Sequence, residues 1–322
     1  MNESVRIFVA GHRGLVGSAL VRRLRSAGCR NLITRSSAEL DLRQQNAVED
    51  FFATQRPELV YLAAARVGGI HANATYPADF IRDNLLIQSN VIDAAYRHGA
   101  RKLLFLGSSC IYPKHAPQPM PESCLLTGPL EPTNESYAIA KIAGLKMCQA
   151  YRQQHGFNAI AIMPTNLYGP GDNFDLQQSH VLPALIRKCH EAKLRGEPEM
   201  IVWGSGAPRR EFLHVDDLAD ACVFLMECYE SGELINVGWG QDVSIRDLAE
   251  LVQDVVGYQG ALRFDTSRPD GTPRKLLDVT RLRNLGWSPS IPLGEGVAST
   301  YAWFGAHEHE VRSGGDHVAA RV

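Results

Sequence analysis

The sequence predicts an α/β protein with a doubly wound parallel sheet and a smaller C-terminal lobe. Three observations support this fold class. Short apolar runs alternate with longer helical patterns through the first half of the chain, as in successive β-α-β units. The runs are apolar throughout rather than alternating with polar residues, which is typical of a sheet covered on both faces. After residue 163 the alternation gives way to segments rich in proline and glycine, which indicate loops around a second lobe.

The predicted elements follow in order along the chain. Strands are predicted at residues 5–10, 32–34, 59–63, 103–106 and 159–163, and helices at residues 16–27, 46–54, 78–98 and 137–155. Because β-α-β crossovers are right-handed, these strands are expected to form one parallel sheet with helices on both faces. Further along, residues 214–227 and 244–256 have helical patterns. Residues 234–237 are predicted to return to the main sheet.

The two predicted domains are interleaved along the chain. We expect the larger domain to comprise residues 1–165 together with about 212–240. The smaller lobe is expected at about 166–211 and 241–305. Residues 306–322 are rich in polar side chains and glycine, so they are predicted to form a polar tail.

Composition excludes several classes of function. The chain has 322 residues, 45% of them hydrophobic, and a formal net charge of −2. Without a long basic run we expect no nucleic-acid partner, and without an apolar stretch of roughly 20 residues we expect no membrane span. The N-terminus lacks the pattern of a signal peptide. The seven cysteines are odd in number and lack CxxC spacing, so we expect no disulfide framework, no metal site and a reducing, cytoplasmic location.

A glycine-rich turn joins the first predicted strand to the first predicted helix. Its residues are Gly11, His12, Arg13, Gly14, Leu15, Val16 and Gly17. Glycines here permit a tight turn, let a pyrophosphate approach the backbone, and allow the helix to pack on the strand. The GxxGxxG spacing is not specific by itself. Its position between a strand and a helix nevertheless predicts a dinucleotide site, and hence a Rossmann domain.

The residues after the second predicted strand favour NADP over NAD. An NAD enzyme usually places an acidic residue there to hold the ribose hydroxyls, whereas this chain has Arg35. With Arg13 in the glycine turn, two guanidinium groups are predicted near the adenosine ribose, where they can bind a 2′-phosphate. NAD remains the alternative if both arginines are solvated loop residues. Asp41 and Leu42 are expected at the adenine edge, and the small residues Ala63, Ala64 and Ala65 after the third strand are expected to let the cofactor approach the backbone.

Three side chains predict oxidoreductase chemistry. Tyr137 and Lys141 are four residues apart in a predicted helix, so they share one helical face. We expect the ammonium to lower the pKa of the tyrosine, so that Tyr137 can exchange a proton near neutral pH. Ser108 follows a buried predicted strand, where its hydroxyl can hold a carbonyl oxygen. The trio predicts a nicotinamide-dependent oxidoreductase.

Longer motifs around the trio resemble one known family. They lie at residues 11–17, 62–69, 106–113, 163–169, 203–206, 210–217 and 270–278. Together they are similar to the extended short-chain dehydrogenase/reductases and, within that family, to the GDP-L-fucose synthases. The resemblance runs from about residue 6 to residue 304 and leaves out only the polar tail.

This resemblance implies a reaction and a set of site residues. The substrate would be GDP-4-keto-6-deoxy-D-mannose, epimerised at C3 and C5 and then reduced at C4 by NADPH. Cys110 would be the base and His180 the acid of the epimerisations, although a free cysteine is more often a buried apolar residue. Further implied cofactor contacts are Leu106, Gly107, Lys141, Pro164, Thr165, Asn166, Leu167 and His180, and implied GDP contacts are Lys188, Trp203, Arg210, Asp270 and Lys275.

Two kinds of alternative remain at this point. A sugar-nucleotide 4-epimerase recycles bound NAD and has no need of Arg13 and Arg35, and a 4,6-dehydratase usually carries an acidic pair where this chain has Cys110 and Ile111. A non-catalytic NADP-binding regulator of the same fold typically loses the tyrosine or the lysine. Apolar residues on several faces of helices 78–98 and 137–155 are compatible with a homodimer, which is usual in the family, and also with burial inside one chain.

Overall fold

The computed structural model describes residues 4–309, except residues 177 and 269. Its strands and helices follow in this order: β1 (Ile7–Ala10), α1 (Leu15–Ser26), β2 (Leu32–Ile33), α2 (Gln45–Gln55), β3 (Leu59–Leu62), α3 (Ile70–Thr75), α4 (Pro77–Arg97), β4 (Lys102–Leu106), α5 (Glu135–His155), β5 (Ala159–Pro164), β6 (Asn166–Tyr168), α6 (Val181–Arg195), β7 (Glu199–Trp203), β8 (Arg209–Arg210), β9 (Phe212–His214), α7 (Val215–Cys228), β10 (Ile235–Val237), β11 (Val243–Ser244), α8 (Ile245–Val256), β12 (Ala261–Asp265), β13 (Arg274–Lys275), α9 (Thr280–Asn284) and α10 (Leu293–Ala306).

A parallel sheet forms the centre of the larger domain. Within the described residues it has six strands in the order β2-β1-β3-β4-β5-β10. Every neighbouring pair is parallel, and β1 lies between β2 and β3, so the chain winds in opposite directions from β1. The predicted doubly wound fold is confirmed, including the return of residues 235–237 to the sheet. In such sheets ligands bind at the carboxyl ends of the strands where the order reverses, here between β1 and β3.

Both faces of this sheet are covered because alternate strand residues point to opposite sides. Phe8 and Phe105 pack on one face, in a core with residues from α2, α4 and α5. Ile7, Tyr61 and Ile162 pack on the other face, in a core with residues from α1 and α7. All five side chains are at most 1% exposed. The continuous apolar runs in the sequence therefore correspond to strands with buried side chains on both faces.

The smaller lobe has a core of its own. Ile186 of α6, Leu248 of α8 and Phe304 of α10 are buried together in it. The segment after β13 departs from the predicted domain boundary. Leu282 and Trp287, expected in the smaller lobe, are buried in the core between α7 and the main sheet. Burial of these two apolar side chains explains why the chain crosses back to the larger domain before α10.

Two further predictions concern the C-terminal tail and the absence of membrane spans. The polar tail predicted at residues 306–322 lies outside the described residues from residue 310 onward. Within the described part of the chain, we find no helix with the length and apolar character needed to cross a bilayer.

Candidate active site

The site lies at the carboxyl end of β4, where the strand gives way to a short 3-10 helix at Ser109–Ile111. Ser108 precedes this turn, and its hydroxyl accepts a hydrogen bond from the backbone N–H of Cys110 at 3.2 Å. The same hydroxyl forms a hydrogen bond with Tyr137, near the start of α5. The fold therefore brings Ser108 and Tyr137 together, as the sequence predicts.

Lys141 lies one turn further along α5 and is 4% exposed. Its Nζ donates to the Leu106 carbonyl at 2.8 Å and lies 5.8 Å from the centre of the Tyr137 ring. Burial lowers the pKa of Lys141 to about 8. The serine, tyrosine and lysine thus form one contiguous group at the end of β4.

The predicted lowering of the Tyr137 pKa is wrong. Burial is the largest effect and raises the pKa of Tyr137 well above its usual value, and the Cys110 sulfur adds to the rise. The hydrogen bond from Ser108 opposes this shift without reversing it. Tyr137 therefore remains a protonated phenol at neutral pH. A protonated phenol is the form that can donate a proton to a carbonyl oxygen as that carbonyl is reduced.

Cys110 has two nitrogen donors around its sulfur. Asn134 Nδ2 lies 3.4 Å from Sγ, and Lys275 Nζ lies 3.6 Å from Sγ. The resemblance implies GDP binding for Lys275, whereas the structure places its ammonium beside the thiol. Asn134 was not predicted from the sequence. In the sequence, a polar residue just before the helix of Tyr137 is interpreted as an ordinary helix cap.

His180 immediately precedes α6, and its side chain makes no capping hydrogen bond to that helix. Part of His180 is exposed to solvent. The surrounding protein nevertheless desolvates the imidazole and lowers its pKa, and the charge of Lys275 lowers that pKa further. Lys275 is thus close to both Cys110 and His180. The Lys275 ammonium therefore contacts Cys110 and acts on His180 through its charge.

The glycine turn has the backbone geometry that a dinucleotide site requires. Gly11 has a φ of +82°, and a Cβ there would lie 2.7 Å from the Ala64 nitrogen. A Cβ on Gly17 would lie 2.0 Å from the Gly11 carbonyl oxygen. Gly14 precedes α1 and carries no side chain that could cap it. The first N–H groups of α1 can therefore bind a phosphate, and the residues present fit a dinucleotide.

The two arginines expected near a 2′-phosphate lie close to one carboxylate. Arg35 and Arg13 both lower the pKa of Glu39, although its hydrogen bonds with Ser36 have the larger effect. Glu39 accepts from the Ser36 backbone N–H at 2.7 Å and from its hydroxyl at 2.6 Å. The shared neighbour shows that Arg13 and Arg35 converge on one region. Sequence reasoning missed Glu39, although Ser36-x-x-Glu39 has the spacing of a capping box.

Asp41 and Leu42, expected at the adenine edge, have other partners as well. The Asp41 carboxylate accepts from Nε and Nη2 of Arg43, each at 2.9 Å. Leu42 is 8% exposed and belongs to the core against α4. The Asp41–Arg43 pair was not predicted from the sequence.

The remaining predicted cofactor residues lie along the carboxyl edge of the sheet. The Asn166 side chain donates to the Glu211 carbonyl at 2.7 Å, and the Thr165 hydroxyl donates to the same oxygen at 3.3 Å. Glu211 is fully buried, and its carboxylate accepts from the Gly240 and Leu277 backbone N–H groups. Leu167 lies in β6, and the others end or directly follow β1, β3, β4 or β5: His12, Ala63, Ala64, Ala65, Leu106, Gly107 and Pro164.

Four of the expected GDP residues meet in the smaller lobe. Lys188 Nζ lies 4.6 Å from the centre of the Trp203 ring, and burial lowers the pKa of Lys188. Burial also lowers the pKa of Arg210, while the charge of Asp270 opposes that shift. Asp270 is anchored by the backbone N–H and hydroxyl of Ser205, at 2.9 and 2.6 Å. An exposed aromatic ring with cations close by suits a base and a diphosphate.

Comparisons with known proteins identify the family of the chain. Residues 7–238 match the model of the NAD dependent epimerase/dehydratase family. The chain is 64% identical over 303 residues to GDP-L-fucose synthase 1 of Arabidopsis thaliana, covering 94% of each chain. It is 58% identical over 308 residues to GDP-L-fucose synthase of Escherichia coli, covering 93% of this chain and 96% of that one.

A solved structure extends the agreement to the fold. The GDP-L-fucose synthetase of Naegleria fowleri bound to NADP superposes with a TM-score of 0.88 at 28% sequence identity, covering 96% of each chain. Taken with the glycine turn and the serine, tyrosine and lysine group, these matches assign the chain plainly. It belongs to the NAD dependent epimerase/dehydratase family and, within that family, to the GDP-L-fucose synthases.

Proposed function

We propose that the chain converts GDP-4-keto-6-deoxy-D-mannose to GDP-L-fucose, using NADPH. The observation that carries this proposal is the contact of the Cys110 sulfur with Lys275, whose charge also acts on His180, beside the Ser108 and Tyr137 hydroxyls. A reductase alone needs only the serine, tyrosine and lysine. A thiol and an imidazole beside them supply the base and the acid that inversion at carbon requires.

The epimerisations depend on the acidity of the protons next to the C4 ketone. The Cys110 thiolate removes the proton from C3, and the electrons of that C–H bond pass to the C4 oxygen as an enolate. Ser108 and Tyr137 stabilise this oxyanion by hydrogen bonding. His180, as the imidazolium, returns a proton to the opposite face of the carbon. Both side chains then recover their starting protonation by exchange with solvent, and the same proton transfers at C5 complete the second inversion.

Reduction at C4 uses the other end of the same site. NADPH supplies a hydride to C4 when it is bound at the glycine turn. Tyr137 gives its phenolic proton to the C4 oxygen, and its raised pKa keeps that proton available at neutral pH. Lys141 lies on the same helical face and would hold the nicotinamide ribose of the bound cofactor. Lys188, Trp203, Arg210 and Asp270 then hold the GDP portion.

One assay separates this function from its alternatives. Purified protein with NADPH and GDP-4-keto-6-deoxy-D-mannose should lose absorbance at the nicotinamide band and yield GDP-L-fucose. Tight NADPH binding without turnover would favour a non-catalytic regulator. Interconversion of the C4 epimers of a GDP-hexose, with no net NADPH consumption, would favour a 4-epimerase. The intact tyrosine and lysine argue against a regulator, and the cysteine together with the histidine argues against a 4-epimerase.

Cofactor preference gives a further expectation. Arg35→Ala should weaken NADPH binding roughly 10- to 100-fold while changing NADH binding little, because a charged hydrogen bond to the 2′-phosphate contributes about 1.5–3 kcal/mol. Fluorescence titration with each nucleotide measures both dissociation constants. Arg25→Ala, an exposed arginine on α1, serves as the control. An equal loss for NADPH and NADH would contradict recognition of the 2′-phosphate by Arg35.

We also propose a homodimer formed through α4 and α5. These helices pack against each other, and each presents a large apolar side chain to solvent: Leu86 on α4 is 40% exposed and Ile139 on α5 is 42% exposed. Pairing with a second copy would bury both. Light scattering should give a mass of about twice 35.5 kDa, and a monomeric mass at micromolar concentration would contradict the proposal.

For its location we propose the cytoplasm, because a reducing compartment suits a chain whose mechanism needs a free thiol.

A further inference from the structure

The two nitrogen donors at Cys110 come from segments that are distant in the sequence. Asn134 lies just before α5, and Lys275 is the last residue of β13. Their distances to Sγ, 3.4 and 3.6 Å, are those of hydrogen bonds to sulfur. We call Asn134 and Lys275 the donor pair. None of the reaction steps described above assigns these two residues a task.

Asn134 departs from the usual behaviour of a residue at its position. It is the N-cap of α5, where asparagine is favoured because its side-chain oxygen accepts from an early helical N–H. Here the side chain makes no such bond and donates to Cys110 instead. Its Oδ1 is buried and, among the described residues, has no hydrogen-bond partner. The missing cap bond and the unpaired buried oxygen both lower the stability of the fold. A local loss of stability beside a reactive group is typical of a residue with a functional role.

Lys275 is fixed by the backbone on either side of it. Its carbonyl accepts from the Glu211 N–H at 3.3 Å, and the next N–H along the chain donates to Gln118 Oε1 at 2.8 Å. In β13 it pairs with Arg210 of β8. Because these hydrogen bonds fix the backbone on both sides of Lys275, its side chain starts from a fixed position and places the half-buried ammonium beside the sulfur. A cation held beside a thiol favours the thiolate.

We propose that the donor pair stabilises the thiolate form of Cys110, and that Asn134 and Lys275 are positioning residues for proton removal at C3 and C5. Hydrogen bonds and an opposite charge favour an ionised group, whereas burial alone favours the neutral thiol. An ionised sulfur also offsets the Lys275 charge that disfavours the imidazolium of His180. The pair of Cys110 thiolate and Lys275 ammonium thus supports both the base and the acid. The assignment to C3 and C5 rests on the proposed function.

Alkylation by iodoacetamide tests the donor pair without any sugar nucleotide, because the thiolate is the reacting form. Mass spectrometry of the Cys110 peptide separates its reaction from that of the exposed Cys228. Against wild type, Asn134→Ser and Lys275→Met should each raise the pH of half-maximal alkylation by at least about one unit. The rate at pH 7 should fall roughly tenfold. Asn134→Ser keeps a good helix cap, so the fold is retained.

Two control variants and two further measurements, of GDP affinity and of turnover, make the outcome decisive. Lys275→Arg keeps the charge and should stay within threefold of wild type, and Lys146→Met, at an exposed lysine of α5, should behave as wild type. Unchanged alkylation profiles in both Asn134→Ser and Lys275→Met would overturn the proposal. So would loss of GDP affinity in Lys275→Met without any shift in alkylation, because that result would assign Lys275 to the diphosphate. Shifted profiles in a protein that turns over no GDP-sugar would refute the proposed function and leave the donor pair intact.

Discussion

Cys110→Ser should abolish solvent deuterium incorporation at C3 and C5 of the substrate while hydride transfer from NADPH persists. A serine hydroxyl is a far weaker acid than a thiol, so the donor pair cannot ionise it near neutral pH. Removing a positioned base usually costs 10²- to 10⁴-fold, and we expect exchange to fall by roughly 10³-fold. Deuterium incorporation is measured by mass spectrometry of the sugar nucleotide after incubation in heavy water.

The reduction product is the second measurement on this variant. Because Ser108, Tyr137 and Lys141 are unchanged, Cys110→Ser should yield the sugar reduced at C4 without inversion at C3 and C5. Cys228→Ser makes the same substitution at an exposed thiol and should behave as wild type. Undiminished incorporation in Cys110→Ser would remove Cys110 from the mechanism and would leave His180 without a partner base.

Tyr137→Phe should give the reciprocal result. The ring stays in place, but the phenolic proton that the raised pKa preserves is absent, so the C4 oxygen has no donor during hydride transfer. NADPH oxidation should fall roughly 10²- to 10⁴-fold. Deuterium exchange should decline less, because the Ser108 hydroxyl still stabilises the enolate oxygen.

Tyr151→Phe is the matched control for this second variant. It removes a phenolic hydroxyl from the same helix, where that hydroxyl donates to Asp93 at 2.8 Å, far from the reacting atoms. Its NADPH oxidation should match that of wild type. If Tyr137→Phe kept its reduction rate within tenfold, another group would have to protonate the C4 oxygen. In that event the serine, tyrosine and lysine trio would be only a binding feature.

The sheet was predictable because its information is local. Apolar runs of four to six residues separated by helical patterns give strands buried on both faces, and β1, β3, β4 and β5 were found within two residues of their predicted bounds. The group of Ser108, Tyr137 and Lys141 could be predicted equally well. Tyr137 and Lys141 share a helical face through their spacing, and Ser108 is placed by its position at a strand end. The glycine turn was recognisable for the same reason.

The position of Lys275 could not be predicted in this way. It belongs to the two-residue strand β13, whose pairing with β8 carries no periodic signal. Its contact with Cys110 spans 165 positions of the chain. The error in the Tyr137 pKa has a similar origin, because burial depends on packing by distant segments and outweighs a cation on the same helix. Glu211 was missed because buried carboxylates that bind backbone N–H groups have no sequence pattern.

The buried ammonium of Lys141 has a consequence for engineering this protein. Its pKa of about 8 lies below the ordinary lysine value of 10.5, so between these pH values the unfolded chain binds a proton that the folded chain does not. Folding stability attributable to this group therefore rises with pH across that interval. At pH 7 the charge costs on the order of 3 kcal/mol. Selection for heat resistance alone would therefore favour an apolar residue at position 141 and would yield stable but inactive proteins. A screen for stability in this protein has to measure enzymatic turnover as well.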